Sequence, residues 1–230
     1  MEPAEPSLSR DDYRYCSLCI GESDVFIGDE EPSRFIHQLD GRIELLLDDD
    51  AKRLAIGKFS ALVVDVESAI NERVHPFDVF DSHRATAPYY RPLFLERSWT
   101  GADFRTPVVK AVYGEDEPWR PNLLILDRVT VFPEHRGNGV GLLAIRGLIE
   151  RFRMGVGLVV MIPFPLQFEA DPVTPVDFEE RSRLGLDQFN MGYDRALAKL
   201  RSYYATLGFR TIPRTRLMGL AADRKLPPLD

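Results

Sequence analysis

At 230 residues, with 44% apolar and 28% charged side chains, the chain is long enough to bury a sizeable core and reads as one compact domain rather than two small ones. A formal net charge of −7 argues against a sequence-independent nucleic-acid binder, which needs a basic stripe to neutralise phosphates. It is compatible with a cationic acceptor. No apolar run reaches the roughly 20 residues needed to span a bilayer, and residues 1–10 carry acidic residues and prolines where a signal peptide would be basic and then apolar. The expectation is a cytoplasmic protein without membrane association. The two cysteines, Cys16 and Cys19, lack a second pair that would complete a zinc site, so no metal is expected.

In chain order, residues 1–10 are polar and proline-containing and predict disorder, with one domain over 11–225. Residues 13–27 read as a first strand, 42–47 and 53–66 as a hairpin joined by the polar turn 48–51. Residues 76–96 carry two short helical patterns, around 77–83 and 89–95, and 100–121 read as a loop. A strand is predicted over 123–131. A helix over 139–154 follows, its apolar face formed by Val140, Leu143, Ile145, Leu148, Ile149 and Phe152. Residues 156–162 form a buried strand, and 163–190 an expanded loop dense in proline and aromatics, too long for an ordinary connection. A last long helix over 193–207 stops at Gly208, and 209–212 with 216–221 close the sheet.

The densest signal lies between the strand at 123–131 and its helix: Arg136-Gly137-Asn138-Gly139-Val140-Gly141, preceded by Val131-Phe132-Pro133-Glu134. Three glycines at alternate positions let backbone N–H groups surround an anion at the positive end of a helix. A P-loop would need Lys and Ser or Thr after its last glycine, where Leu142 and Leu143 stand. A dinucleotide fingerprint would need its first glycine at the strand end and a later carboxylate; neither is present.

Arg136-x-x-Gly139-x-Gly141 closely resembles the acetyl-CoA signature of the GNAT acetyltransferase superfamily. Tyr204-x-x-x-Gly208-Phe209 resembles the segment that ends the family's last helix. The two cover residues 122–220, the cofactor half. The resemblance implies a mixed, mostly antiparallel sheet with helices on both faces, and an enzyme that transfers an acetyl group from acetyl-CoA to an amine by direct attack on the thioester. A non-catalytic acyl-CoA-binding module on the same fold is the alternative. The partners implied are acetyl-CoA and an amine acceptor, with room for a homodimer. The acceptor itself stays open.

By the same resemblance, Val129 and Val131 pair through their backbone with the pantetheine arm, and the amides of Arg136, Gly137, Asn138, Gly139, Val140 and Gly141 hold the pyrophosphate. For the Arg136 side chain two readings stand, a charge-assisted contact or a solvated arginine. A lysine-like amine of pKa about 10.4 must lose a proton before attack, and a thiolate of pKa about 8.5 must gain one. Tyr204 matches the family's acid, against a packed tyrosine; Tyr203, about 100° around the helix, reads as the core aromatic. Asp127, with the strand parity of Val129 and Val131, is the candidate base, against a surface carboxylate. Glu134 and His135 read as solvent-facing, and His83 as a helix-surface residue or an acceptor-site one. Leu197 stands where the family often has an asparagine. The loop at 163–190 would wall the acceptor site.

Overall fold

The computed structural model describes residues 12–21, 31–47, 52–169 and 181–229. The expected disordered segment 1–10, the turn 48–51 and the middle of the expanded loop lie outside them.

A 3₁₀ turn, Asp12–Tyr15, enters β1 (Cys16–Ile20), and a second, Pro32–Phe35, enters β2 (Ile36–Leu47), which pairs with β3 (Lys52–Val64). Residues 13–15 of the expected first strand are thus a 3₁₀ turn, and its part over 22–27 lies outside the described residues. β2 starts six residues before the expected 42, because its exposed polar half carries no apolar alternation and only pairing with β3 makes it a strand. β3 stops at Val64, not 66: the Asp65 carboxylate accepts the Ser68 N–H at 3.0 Å and caps a helix, α1 (Val66–Asn71). Helices α2 (Pro76–Asp81) and α3 (Tyr90–Leu93) follow, and the supposed loop 100–121 contains α4 (Thr106–Val108), continued as a π-helix over Val109–Tyr113. Then come β4 (Leu123–Val131), α5 (Val140–Phe152), β5 (Leu158–Met161), α6 (Tyr193–Ala205), β6 (Arg210–Thr211) and β7 (Met218–Ala221).

The strands form one sheet in the order β1-β2-β3-β4-β5-β7-β6, antiparallel except for the β4–β5 pair. Each face carries its own core. On one, α1, α2, α3 and the 104–113 segment cover Leu123, Ile125, Leu158 and Val160. On the other, α5 and the end of α6 cover Leu124, Val159, Met161 and Met218. The chain is a mixed α/β domain around a single, mostly antiparallel sheet with helices on both faces. Along α5 the buried face is Val140, Leu142, Ala144, Ile145, Leu148 and Ile149, with Phe152 half-buried against it; Leu142 and Ala144 join the expected stripe and Leu143 leaves it. Gly208, at φ +97°, ends the last helical segment as expected. Among the described residues no helix is long and apolar enough to cross a membrane.

Two irregularities of β4 shape everything that follows. Its parallel pairing with β5 covers only Leu123 to Ile125, opposite Leu158 to Val160, after which β5 turns away into Pro163 and Pro165. Its antiparallel pairing with β3 skips a residue: Ala61 faces Leu126 and Ser60 faces Arg128, leaving Asp127 as a bulge.

Candidate functional site

Because β5 leaves early, residues 126–131 of β4 are paired only to β3. The Phe132 N–H donates to Ile56 on β3 at 2.9 Å, while the Val131 carbonyl accepts the Arg136 Nε on the other side at 2.9 Å. Extended backbone alternates direction, so Val129 and Val131 turn their N–H and C=O groups to the open side. Their side chains pack instead into the core under α5. A cleft is left between β4 and β5, and it opens into a cavity of about 1040 Å³ whose wall includes Val129, Val131, Gly137, Gly139, Gly141 and Tyr204.

At one end of the cavity the chain turns from β4 into α5. Gly137 and Gly139 have φ of +85° and +74°, the left-handed region that glycine enters without strain. A Cβ on either would meet nothing within 4 Å, so these glycines serve backbone shape and the space in front of the turn. Among the described residues, no N–H of residues 137–141 donates to a backbone carbonyl or side chain. The turn therefore presents a run of unpaired donors at the positive end of a 13-residue helix, the arrangement that binds an anion. Val140 lines the same cavity. The Asn138 side chain does not: its amide folds back to the carbonyls of His135 and Arg136 at 3.4 and 3.5 Å and stiffens the loop, while its backbone N–H stays among the turn's donors.

The Arg136 side chain is not a solvated arginine, and it lines the cavity. It is half-buried, donates to the Val131 and Leu184 carbonyls, and lies 5.1 Å over the Phe189 ring. It ties the cleft edge to the loop beyond residue 181. His135 is likewise not solvent-facing. It is 6% exposed, with Nδ1 3.0 Å from the Tyr13 hydroxyl, which pins the N-terminal 3₁₀ turn beneath the glycine loop. Glu134 is exposed as expected.

The two tyrosines of α6 exchange part of their expected characters. Tyr203 is 36% exposed, not a core aromatic, and its hydroxyl stands over Gly141 in the first turn of α5. A Cβ on Gly141 would lie 2.9 Å from that oxygen, so the last glycine of the motif makes room for Tyr203. Tyr204 is half-buried, packs into the core beneath α5 and still lines the cavity. Burial, with Tyr203 beside it, pushes its phenol up to about 12, so it carries its proton throughout the physiological range. The rings lie 5.6 Å apart because α6 delivers consecutive residues to one cavity from adjoining sides.

Asp127 is also placed otherwise than parity suggested. The bulge shifts the alternation, so that Leu124, Val129 and Val131 face the α5 core while Asp127 looks toward His83 and Tyr89 on the α2–α3 side. It is exposed, as the surface-carboxylate reading has it, and it also lines the cavity. Desolvation raises its carboxyl above the usual range, with Asp40 and Glu169 adding to the shift and Arg128 and His83 opposing it. His83 lines the same wall beyond the end of α2, its Nδ1 accepting the Ala85 N–H at 3.2 Å. Tyr89, which carried no signal in the sequence, is 3% exposed and lines the same wall. Phe164 lines the cavity, while Arg128 is paired with Glu169.

The remaining sequence candidates lie elsewhere. Cys16 and Cys19 are free thiols three residues apart on β1, hence on opposite faces of the strand. Among the described residues no group of three or more His, Cys, Asp or Glu side chains is placed to hold a metal ion. Compared with protein-family models, curated proteins and solved structures, the chain matches none.

Proposed function

We propose that this chain is a GNAT-like acyl-CoA-dependent N-acetyltransferase of the cytoplasm, moving an acetyl group from acetyl-CoA to an amine. The observation that supports it most is the open edge of β4 running directly into a turn of unpaired amides at the start of α5. An extended pantetheine arm can add to the edge through Val129 and Val131, as a strand adds to a sheet. Its pyrophosphate then falls at the turn. A ligand that is part amide chain and part diphosphate suits that sequence of surfaces. The free thiols of β1 suit a reducing compartment.

In this reading Asp127 accepts the proton of the incoming ammonium and the neutral amine attacks the thioester carbonyl. The C–N bond forms and the C–S bond breaks as Tyr204 gives its proton to the departing sulfur; the attacking nitrogen then loses its second proton, which restores the Tyr204 phenol, and the amide and free CoA leave. Titration calorimetry with acetyl-CoA, followed by a thiol assay for CoA release across an amine panel, tests the proposal. Binding with release supports it. Binding without release of CoA leaves a non-catalytic acyl-CoA module, and absence of binding sinks both.

Asp127→Asn separates chemistry from stability. A carboxyl whose folded pKa lies above its unfolded value binds protons more tightly in the native state, so its charge opposes folding once the pH rises through the folded pKa. The variant is expected to melt no lower than the wild type at neutral pH, with the difference vanishing in acid where both side chains are uncharged. Its kcat/KM should fall by about 10²-fold or more. Scanning calorimetry and turnover on one preparation check both; a lowered melting temperature with full activity would remove Asp127 as the base.

A further inference from the structure

The amides of the glycine turn make no hydrogen bonds that would fix its shape. Among the described residues no N–H of residues 137–141 is used, and Gly137 and Gly139 have the widest choice of backbone conformations. A segment of that kind keeps one shape only when contacts outside it hold it there. Its amides converge on an anion in that one shape, so the fraction of molecules holding it scales the affinity directly.

Between Phe132 and Val140 the one buried residue is His135. Its ring meets that of Tyr13 edge to face, 5.9 Å between centroids, with Nδ1 3.0 Å from the Tyr13 hydroxyl. On the other side of the imidazole, Nε2 is 3.9 Å from the exposed Glu134 carboxylate, beyond hydrogen-bond reach. Tyr13 is 4% exposed and belongs to the α5-side core, and it does not line the cavity, whereas His135 does. The Asn138 amide bonds only within the loop, and Arg136 ties the edge of β4 to Leu184. The Tyr13–His135 bond is therefore the one that joins the turn to the core beneath it. Tyr13 enters β1, and β1 also lies against α5: a Cβ on Gly147 would stand 2.9 Å from Leu18 Cδ1. One stretch of chain thus holds the turn at Tyr13 and the helix it opens at Leu18.

We propose that Tyr13 is a positioning residue for the cofactor: through His135 it holds the glycine turn in the form whose amides converge on the diphosphate of acetyl-CoA. The role rests on the acyl-CoA reading of the turn and assigns the N-terminal 3₁₀ turn a part in it. It acts on the diphosphate alone, because the pantetheine arm pairs with β4, which β3 holds independently of Tyr13.

The test measures dissociation constants of the full-length protein for acetyl-CoA and for acetyl-pantetheine, which keeps the arm and the thioester and lacks the diphosphate. Tyr13→Phe removes only the hydroxyl and should weaken acetyl-CoA by about 5- to 10-fold, the worth of one hydrogen bond, with acetyl-pantetheine unchanged. In turnover the loss should appear in KM for acetyl-CoA and not in kcat. His135→Asn, whose amide can offer a donor or an acceptor near the place of Nδ1, should keep most of the affinity, and His135→Leu should lose as much as Tyr13→Phe. Tyr13→Phe/His135→Leu should lose no more than either single variant, since both break the same bond. Thermal melting shows which variants fold; if Tyr13→Phe does not, His135→Asn against His135→Leu makes the same comparison. Unchanged acetyl-CoA affinity in folded Tyr13→Phe, equal weakening of both ligands, or additive losses in the double variant overturns the role and leaves the cofactor site standing. A wild-type protein that binds no acetyl-CoA overturns the acyl-CoA reading as well.

Discussion

Tyr204→Phe is expected to lower kcat by about 10²- to 10⁴-fold while acetyl-CoA affinity changes little, the range for a positioned acid whose proton is needed in the slow step. Phe keeps the ring against Phe209 and the core beneath α5 and removes only the hydroxyl. Since burial holds the Tyr204 phenol near 12, its deprotonation cannot produce a fall in activity in the moderately alkaline range. Any such limb in the wild type must come from another group. Tyr203→Phe is the informative companion. Its hydroxyl stands over Gly141 on the cavity wall at the mouth of the anion turn, so its loss should weaken acetyl-CoA binding slightly, with little effect on kcat. Single-turnover kinetics, where product release is not limiting, decide between them. If Tyr203→Phe carries the large loss in kcat and Tyr204→Phe does not, the acid has been assigned to the wrong neighbour. If neither matters, the thiolate leaves protonated by water.

Gly139→Val should abolish measurable acetyl-CoA binding, a loss of at least about 100-fold. Two effects combine. At φ +74° a side chain with a Cβ is strained by about 1–2 kcal/mol, more when β-branched, which disfavours the backbone that aims the amides. The Cβ would also enter the open space in front of the turn, where the pyrophosphate is to sit. Gly139→Ala separates the two: it imposes most of the strain with less bulk, and its affinity should fall between wild type and Val. Circular dichroism and thermal melting establish that each variant is folded. Unchanged affinity in a folded Gly139→Val protein would show that the anion binds elsewhere.

The two α6 tyrosines illustrate the limit of helical-wheel reasoning. A 100° step sets Tyr203 and Tyr204 apart and, taken alone, gives one to the core and one to the site. The helix instead lies along the start of α5, so that one side chain reaches the glycine turn and the other reaches the core and the cleft. Gly141 carries the same lesson: as a motif glycine it suggested room for a ligand, and in the fold the nearest occupant of its missing Cβ is the Tyr203 hydroxyl.

Local chemistry by itself determined a good deal. The glycine spacing and the β-branched run before it determined β4, α5 and a donor-rich turn between them, because φ above zero and an apolar period are properties of short segments. The same is true of α6, its end at Gly208, and the hairpin after it. Tertiary structure alone decided what the turn opens onto. That β5 parts from β4 after Val160 depends on two chains diverging, and that Asp127 bulges depends on a register with β3 that no window of sequence contains. Nor could sequence bring His135 beneath the loop against Tyr13, 122 residues away, or Arg216 into the same cavity as Asp127. Charge and parity are read residue by residue, but a site is made where separated strands end together, and only the packed sheet fixes that meeting.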